Sequence, residues 1–377
     1  MRWKAPYLLL FVTTLALGGS AAAENSAVKI GIVQATTGGS AALYGIMQKN
    51  AAELAVAEIN MSGQLGNIKL VARHEDDAGD RGQTVNIFQR LIFQEKVDAI
   101  LGPTLSNSAF AADPIAQQAR VPVIASSNTA VGITDMGSFI FRTSPAESSV
   151  FPGVLRYAQD KFNVKRAAQI YGIDDQLMKS AYNVQKAALD AQKIDIVDVE
   201  TFQKGDVDYS AQLTKIKSVK PDIIVIGGLA EETANIVRQA RQLGIPQNVL
   251  IVGANAAIST KLFELAGPAA EGFLVGTTWF AEYNNPLNKA FVAAYESKYH
   301  QKPDTFAAQA YVAVYVLADA VKRAGGGSDH DKLREALAAT KDLETVVGKF
   351  SFTAQRDTSI EPKVLEAKGG RFELVSK

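Results

Sequence analysis

Residues 97–124, VDAILGPTLSNSAFAADPIAQQARVPVI, carry the pattern that decides the fold. A short apolar run ends at Gly102, a helical stretch follows as far as Arg120, and a second apolar run begins at Val121. Short apolar runs that are bounded by glycine and proline are typical of buried strands. The stretch therefore predicts a strand, a helix and a second strand parallel to the first.

The same pattern recurs in the second half of the chain. The run PDIIVIGG at residues 221–228 is followed by a helical stretch that again ends in Gln-Ala-Arg, at residues 239–241. Pro246 and another apolar run come next, as Pro122 does in the first copy. The two copies are too far apart for a solenoid repeat, so they predict two similar α/β domains. A chance match between two βαβ units is the alternative.

The rest of the chain continues this alternation. Strand-type runs are found at residues 28–33, 68–73, 167–171, 194–199 and 249–252. Helical patterns are found at residues 44–60, 84–94, 176–191 and 231–243. Strands that alternate with helices in this way predict an α/β fold built on parallel sheets.

Composition excludes several classes of protein. The 377 residues fit two or three domains of ordinary size, and 47% apolar residues are typical of a folded chain. With 39 basic and 39 acidic residues, the chain lacks the excess positive charge that nucleic-acid binding needs. The absence of cysteine excludes disulfides, thiolate metal sites, cysteine nucleophiles and the lipid anchor of a bacterial lipoprotein.

Residues 1–23 have the pattern of a secretory signal peptide. Arg2 and Lys4 precede an apolar run at residues 7–17, and three alanines at residues 21–23 suit a cleavage site. The apolar run is too short to span a bilayer, which takes about 20 residues. We therefore expect a cleaved signal peptide and an unlipidated protein of the Gram-negative periplasm. An amphipathic first helix is the alternative.

The sequence lacks the motifs of a catalytic or cofactor site. None of its three histidines, His74, His300 and His330, has a second histidine at the spacing of metal ligands. No dinucleotide-binding glycine motif follows the first strand, and neither a P-loop nor a nucleophile elbow occurs. The acidic run at residues 74–77 could bind a cation, but a solvated strand-end loop is the favoured interpretation. The sequence predicts a binding protein rather than an enzyme, with no cofactor and no metal.

In an open α/β sheet, ligands bind beyond the carboxyl ends of the strands. The loops in question are at residues 35–44, 102–108, 125–134, 171–176, 227–232 and 253–257. Short motifs in and around them follow a fixed order: Thr36-Thr37-Gly38, Tyr44-Gly45, ELAVAEIN at 53–60, Asp76-Asp77-Ala78-Gly79-Asp80, VDAILGP at 97–103, Ser106, Phe141-Arg142 and FAAQAY at 306–311. In this order and spacing they resemble the branched-chain amino-acid (Leu/Ile/Val) type of periplasmic binding protein, the soluble receptor of an ABC importer. The resemblance runs from about Val28 to the end of the chain.

This resemblance implies the type I fold of these receptors, with two Rossmann-like three-layer α/β/α domains joined by three hinge crossovers. The expected limits are residues 1–23 for the signal peptide, 24–146 plus 279–352 for the N-terminal lobe, and 147–278 plus 353–377 for the C-terminal lobe. It also implies a monomer that binds a small carboxylate-bearing ligand and docks on an ABC permease in the inner membrane.

The resemblance further implies which residues bind the ligand. Ser106, Ser127 and Thr129 correspond to positions that hold an amino acid's carboxylate, although helix capping would also explain Ser106 and Thr129. Trp279, together with Phe280, either forms the apolar end of the cleft or packs at the hinge. The full set of expected ligand-binding residues is Tyr44, Leu105, Ser106, Ser127, Asn128, Thr129, Tyr171, Asp174, Leu229, Asn255 and Trp279.

Two of these positions depart from the amino-acid receptors. Leu229 stands where those receptors often carry an aromatic residue, and Asn255 stands where they carry the acidic partner of the ligand ammonium. An unpaired ammonium in a closed cleft costs several kcal/mol. The sequence therefore favours an aromatic, keto or other organic acid without an obligatory α-ammonium. An amino-acid ligand stays open if Asp174, Glu231 or Glu232 restores the charge, as does a role as a ligand sensor for a membrane signalling partner.

Overall fold

The computed structural model describes Met1 and residues 26–375. The strands are β1 Ser26–Gln34, β2 Ile68–Asp76, β3 Ala99–Leu101, β4 Val123–Ala125, β5 Ile140–Arg142, β6 Arg166–Gly172, β7 Asp195–Phe202, β8 Ile223–Gly227, β9 Leu250–Gly253, β10 Leu274–Thr277, β11 Leu343–Thr345, β12 Gly348–Phe350, β13 Lys363–Lys368 and β14 Arg371–Leu374. The α-helices are α1 Ala42–Ser62, α2 Arg81–Gln89, α3 Ser106–Ala119, α4 Glu147–Phe162, α5 Gln176–Ala191, α6 Ser210–Ser218, α7 Ala230–Gln242, α8 Lys261–Ala266, α9 Pro286–Tyr299, α10 Thr305–Ala324 and α11 His330–Ala338.

The first lobe is built on a parallel sheet in the order β2-β1-β3-β4-β5. Its short strands β3, β4 and β5 are buried along their whole length, as their continuous apolar sequence requires. Helices α9, α10 and α11, which come much later in the chain, return to this lobe, and α10 packs along α1. The lobe is therefore assembled from two distant segments of the sequence.

The second lobe is built on a sheet in the order β14-β13-β10-β9-β8-β6-β7. The strands from β7 to β10 are parallel, whereas β13 and β14 pair antiparallel at one edge. The last segment of the chain adds to this sheet, since β13 pairs with β10. Together the two sheets give the two-domain α/β fold of a type I binding protein.

The chain passes between the lobes three times, after β5, after β10 and before β13. The third crossover begins after residue 358, later in the chain than the expected limit at residues 352 and 353. Residues 353–358 still bond to the first sheet, because the Arg142 N–H donates to the carbonyl of Arg356 at 3.0 Å. The passage itself is confined to the residues between Thr358 and β13.

The two sequence copies are structurally equivalent βαβ units. In the first, Asp98 precedes β3 and its carboxylate accepts from the Lys29 N–H on the neighbouring strand at 2.7 Å. In the second, Asp222 precedes β8 and accepts from the N–H groups of Lys165 and Arg166, both at 2.9 Å. The same residue type thus secures the start of the same strand in each lobe.

The predicted signal peptide lies outside the described residues, apart from Met1. Within the described part of the chain, no helix combines the length and the apolar character that crossing a membrane would require.

Candidate ligand-binding site

A cleft that is partly open to solvent lies between the two lobes. The loops at the carboxyl ends of the strands form it, as expected for open α/β sheets. Its lining comes from both lobes and comprises Tyr44, Thr104, Leu105, Ser106, Asn107, Ser127, Thr129, Asp175, Leu177, Leu229, Ala256 and Phe306.

One end of the cleft is formed by the N-terminus of α3 and the Ser106 hydroxyl. Leu105 occupies the N-cap of α3, so no side chain caps the first N–H groups of this helix. The Ser106 hydroxyl is buried and has no hydrogen-bond partner among residues 26–375. Free N–H groups and the positive end of the helix dipole favour an anion at this place. Because the unsatisfied hydroxyl points to a missing partner as well, this end suits a carboxylate.

Thr104 holds the two loops that carry the serine and threonine hydroxyls. Its carbonyl accepts from the Ser127 hydroxyl at 2.6 Å and from the Asn128 side-chain amide at 3.1 Å. Its hydroxyl donates to the Gln48 side chain at 2.7 Å and accepts from the Ala35 N–H at 3.1 Å. One residue therefore ties the loop after β3 to the loop after β4, to the end of β1 and to α1.

Tyr44 reaches from the first lobe into the second. Its hydroxyl accepts from the Ala230 N–H at 2.9 Å and donates to the Ala256 carbonyl at 3.0 Å. Burial raises the pKa of Tyr44, so the phenol keeps the proton that it donates. The neighbouring Gly45 permits this position, because a Cβ there would lie 1.9 Å from the Ala35 carbonyl oxygen.

The remaining walls of the cleft are apolar. The Tyr44 ring meets Phe306 edge-on, with ring centroids 4.7 Å apart. Leu105, Leu177, Leu229 and Ala256 complete this surface. An apolar wall opposite a carboxylate end suits a small organic acid with a hydrocarbon or aromatic body.

Among the described residues that line the cleft, Asp175 is the one with a carboxylate, and both its oxygens are occupied. One oxygen accepts from the N–H groups of Leu177 and Met178 as the N-cap of α5, at 2.8 and 3.2 Å. The other accepts from the Asn107 side chain at 2.7 Å and lies 3.5 Å from the Lys204 ammonium. Both oxygens of the Asp175 carboxylate are therefore bonded to groups of the protein itself.

Asn255 and Glu147 form a buried pair that is absent from the cleft lining. The Asn255 N–H donates to the Glu147 carboxylate at 3.1 Å, and the Asn255 side-chain amide donates to the Gly276 carbonyl at 2.8 Å. The Asn255 side-chain oxygen has no partner among the described residues. Burial raises the pKa of Glu147 to about 7, and its N–H donates to the Thr129 carbonyl. Glu147 therefore connects a ligand loop of each lobe.

The predicted residues fall into two groups. The cleft brings together Tyr44, Leu105, Ser106, Ser127, Thr129 and Leu229. Asn128 and Asn255 are buried beside lining residues, whereas Asp174 is exposed and accepts from the Lys204 N–H at 2.8 Å. Tyr171 stacks on Tyr182 at 4.0 Å and is not part of the lining.

Trp279 packs inside the first lobe and does not line the cleft. Its indole N–H donates to the Asn288 side chain at 2.6 Å, and its ring meets Phe291 edge-on. Phe280 likewise is not part of the lining and contacts Tyr283. Of the two interpretations offered by the sequence, the position of Trp279 agrees with hinge packing.

Half of the residues that line the cleft are not among the ligand-binding residues expected from the sequence. The missed residues are Thr104, Asn107, Asp175, Leu177, Ala256 and Phe306. Phe306 belongs to the FAAQAY motif, which is far in the sequence from the strand-end loops. It reaches the cleft because α10 returns to the first lobe. Asp175 is the N-cap of α5, but the adjacent Asp174 offers the same side chain, so the sequence pattern alone does not separate the two.

The Glu231 and Glu232 carboxylates, considered as replacement charges, lie at the start of α7 and outside the described lining. Glu232 is buried, accepts from the Gly205 N–H at 3.3 Å, and has its pKa raised by burial. Neither residue supplies a carboxylate to the cleft in this structure.

Comparison with known proteins agrees with the fold and with the interlobe site. A profile of periplasmic binding proteins matches residues 27–363. A leucine-, isoleucine-, valine-, threonine- and alanine-binding protein from Pseudomonas aeruginosa is 30% identical over 346 residues, which cover 91% of each chain.

Two solved structures with different ligands are also similar. A branched-chain amino-acid transporter substrate-binding protein from Streptococcus pneumoniae, in complex with isoleucine, has a TM-score of 0.84 at 30% identity, covering 93% of this chain and 100% of that one. An ABC-transporter solute-binding protein from R. palustris, in complex with benzoate, has a TM-score of 0.84 at 25% identity, covering 93% and 96%.

Members of this family are transport receptors without enzymatic activity, which bind small solutes for ABC permeases. The profile match extends over nearly the whole described chain, and the fold agrees with it throughout. The chain therefore belongs to the periplasmic binding protein family.

Proposed function

We propose that this receptor closes on a small organic acid, such as an aromatic or keto acid, that has a carboxylate but no obligatory α-ammonium. The observation that carries the proposal is the unpartnered Ser106 hydroxyl at the uncapped start of α3. The ligand carboxylate accepts from this hydroxyl and from the helix N–H groups, with Ser127 and Thr129 beside it. The apolar wall formed by Tyr44 and its neighbours covers the ligand body.

The charge balance of the cleft supports a ligand without an ammonium. Asp175 already accepts from two N–H groups, the Asn107 amide and Lys204, so it has no capacity for a further cation. Asn255, which is buried beside the lining, has a neutral side chain and adds no negative charge that could pair with an ammonium. An ammonium held by neutral groups alone leaves a buried charge unpaired.

A specific observation favours an amino acid as the second candidate. The Glu147 carboxylate lies 3.1 Å from the Asn255 nitrogen, beside the loop where amino-acid receptors carry their acidic residue. With a pKa of about 7, Glu147 would ionise when an ammonium approached it. The related proteins are divided in the same way, since one is solved with isoleucine and another with benzoate.

Calorimetric titration with matched ligand pairs separates the two candidates. L-leucine is compared with 4-methyl-2-oxopentanoate, L-phenylalanine with phenylpyruvate, and benzoate is added as a rigid aromatic acid. We expect benzoate or an oxo acid to bind at least about tenfold more tightly than the matching amino acid. Micromolar binding of leucine or phenylalanine, with no binding of the oxo acids, would show that the ligand is an amino acid.

The assigned carboxylate end is tested by Ser106→Ala. Loss of a hydrogen bond to a charged group is worth about 1.5–3 kcal/mol, so the affinity should fall about tenfold or more. Ser108→Ala is the matched control, because Ser108 lies in the same helix turn and its hydroxyl contacts Thr84 at 2.9 Å instead of the cleft. Equal affinities of the two variants would place the carboxylate elsewhere.

We propose transport as the role of the receptor, with an inner-membrane ABC permease as its partner and a monomer as its working form. Deletion of the gene should abolish uptake of the radiolabelled ligand that the titration identifies. If uptake persists while a ligand-dependent transcriptional response is lost, the protein is a sensor.

We also propose that residues 1–23 are removed on export to the periplasm. N-terminal sequencing of protein from the periplasmic fraction should begin at Glu24. Protein that retains Arg2 and stays in the cytoplasmic fraction would contradict export.

A further inference from the structure

Arg142 is a buried cation behind the ligand cleft, at the end of β5. It is 2% exposed, and it is not among the residues that line the cleft. One of its terminal nitrogens, Nη1, donates to the Asn128 carbonyl at 3.0 Å and to the Ala130 carbonyl at 2.7 Å. The guanidinium therefore holds the backbone on both sides of Thr129, a residue of the cleft.

The other face of the same guanidinium is held by the segment at residues 353–358, which leads into the third crossover. The Asp357 carboxylate accepts from Arg142 Nε at 2.7 Å and lies 2.6 Å from Nη2. Asp357 is itself fixed in a short turn, in which the Thr353 N–H donates to its carbonyl at 2.8 Å. Arg142 is thus the direct link between the loop at residues 126–130 and the segment that leads to the second lobe.

Only an arginine has the donor geometry for this link. The three nitrogens of its planar guanidinium reach two carbonyls in one direction and a carboxylate in another, which a lysine ammonium on a flexible stem does not reproduce. Ser144 adds a further bond, because its hydroxyl donates to the same Asn128 carbonyl at 3.2 Å. The partners of this arrangement lie in the loop at residues 126–130, in the crossover after β5 and in the segment that leads into the third crossover.

We infer that Arg142 is a positioning residue that couples the carboxylate-holding loop at residues 126–130, through Asp357, to the segment at residues 353–358 that leads into the third crossover. Movement of the crossover when the lobes close is transmitted to the loop backbone, so that Ser127 and Thr129 are aligned in the closed form. The bonds of Arg142 to Asp357 and to the Asn128 and Ala130 carbonyls are contacts within the protein. The role of Arg142 in carboxylate binding rests on the proposed function.

Hydrogen exchange of the unliganded protein tests the link. Asp357→Asn removes the charge that holds Arg142 but contacts no residue of the loop, and we expect amide exchange at residues 127–130 to accelerate about tenfold. Asp319→Asn is the control, because it breaks a surface ion pair with Arg323 at 2.7 Å and should leave these amides unchanged. Acceleration confined to residues 353–358 would overturn the coupling.

Binding measurements test the role in recognition, with benzoate and 4-methyl-2-oxopentanoate as probes. Arg142→Lys should lower the affinity about tenfold or more. Arg356→Lys should change the affinity less than twofold. The Arg356 side chain bonds to the carbonyls of Ile140 and Thr134 and not to the loop at residues 126–130. Equal losses in both variants would reduce Arg142 to a general structural role and overturn the inference.

A double-mutant cycle separates positioning from stability. Thr129→Ala and Asp357→Asn should have non-additive effects on affinity, although their side chains share no contact in the structure. Additive effects would overturn the coupling. If Arg142→Lys does not fold, this cycle and the exchange experiment decide the matter. If wild-type protein binds neither probe, the proposed function fails, while the exchange result still decides whether the link exists.

Discussion

Glu147 is a carboxyl group that is buried between the ligand loops of the two lobes. Its N–H is bonded to Thr129 on one side and its carboxylate to Asn255 on the other. Burial raises its pKa from an ordinary value of 4.5 to about 7. A group with this behaviour makes the stability of the protein depend on pH in a predictable direction.

Between pH 4.5 and 7 the folded protein keeps a proton on Glu147 that the unfolded chain has released. The free energy of unfolding therefore decreases as the pH rises through this interval, by up to about 3 kcal/mol. Glu147→Gln keeps an acceptor for the Asn255 N–H and cannot ionise. We expect the variant to match wild type at pH 4.5 and to be more stable at pH 8, as measured by urea unfolding. Identical pH profiles would contradict the burial of a titrating carboxyl, and Glu335→Gln at an exposed helix position is the control.

Asn255 is the residue at which we expect a substitution to change the class of ligand. Asn255→Asp, combined with Glu147→Gln to avoid repulsion between two buried carboxylates, restores an acidic residue to this loop. We expect the ratio of affinities for L-leucine and 4-methyl-2-oxopentanoate to shift about tenfold or more toward leucine. The measurement is calorimetric titration, with Asn255→Ala as the control that removes the bond to Gly276 without adding charge. An unchanged ratio would show that residue 255 does not meet the polar end of the ligand.

At the scale of the elements, the sequence predicts units whose residues are close together in the chain. It does not predict which way a side chain points or which distant residue it contacts. Both βαβ units follow from apolar runs, glycine turns and helix ends that lie within about 30 residues of one another. The choice between Asp174 and Asp175 does not follow from the pattern, because both are acidic and only one bonds to the N–H groups of α5. Trp279 is another such case, since its position depends on a partner, Asn288, in the following helix.

Gly45 illustrates how an element is positioned for binding. A methyl group there would lie 1.9 Å from the Ala35 carbonyl oxygen, so Gly45→Ala must push α1 away from β1 and move Tyr44 with it. We expect a loss of about 2 kcal/mol or more in the free energy of unfolding, together with weaker binding of the ligand. Gly153→Ala in α4 is the matched control, because the nearest atom to its Cβ is the end of the Arg156 side chain at 3.8 Å. Replacing that helical glycine should instead stabilise the protein by about 0.5–1 kcal/mol, and equal effects in both variants would contradict the close contact.

At the scale of the whole molecule, direct hydrogen bonds join the two lobes. Tyr44 joins them inside the cleft, and Asn107 joins them at its edge, where it donates to Asp175 and accepts from the Gln176 N–H at 3.1 Å. A further bond runs from the Val131 N–H to the Ser180 hydroxyl at 2.9 Å. The closed arrangement therefore includes direct bonds between the lobes, and the affinity for a ligand depends on how readily that arrangement is reached.

Asn107→Ala removes two of these interlobe bonds and leaves the Ser106 hydroxyl and the apolar walls in place. Because bonds between the lobes form only after the ligand has entered the open cleft, their loss should act on release and not on capture. We expect the dissociation rate to rise about tenfold and the association rate to change less than twofold, as measured by stopped-flow kinetics with the ligand identified by titration. Ser180→Ala, which lies outside the cleft lining, should raise the dissociation rate in the same direction by a smaller factor. A lower association rate with unchanged dissociation would show instead that Asn107 acts in the open cleft as a direct ligand contact.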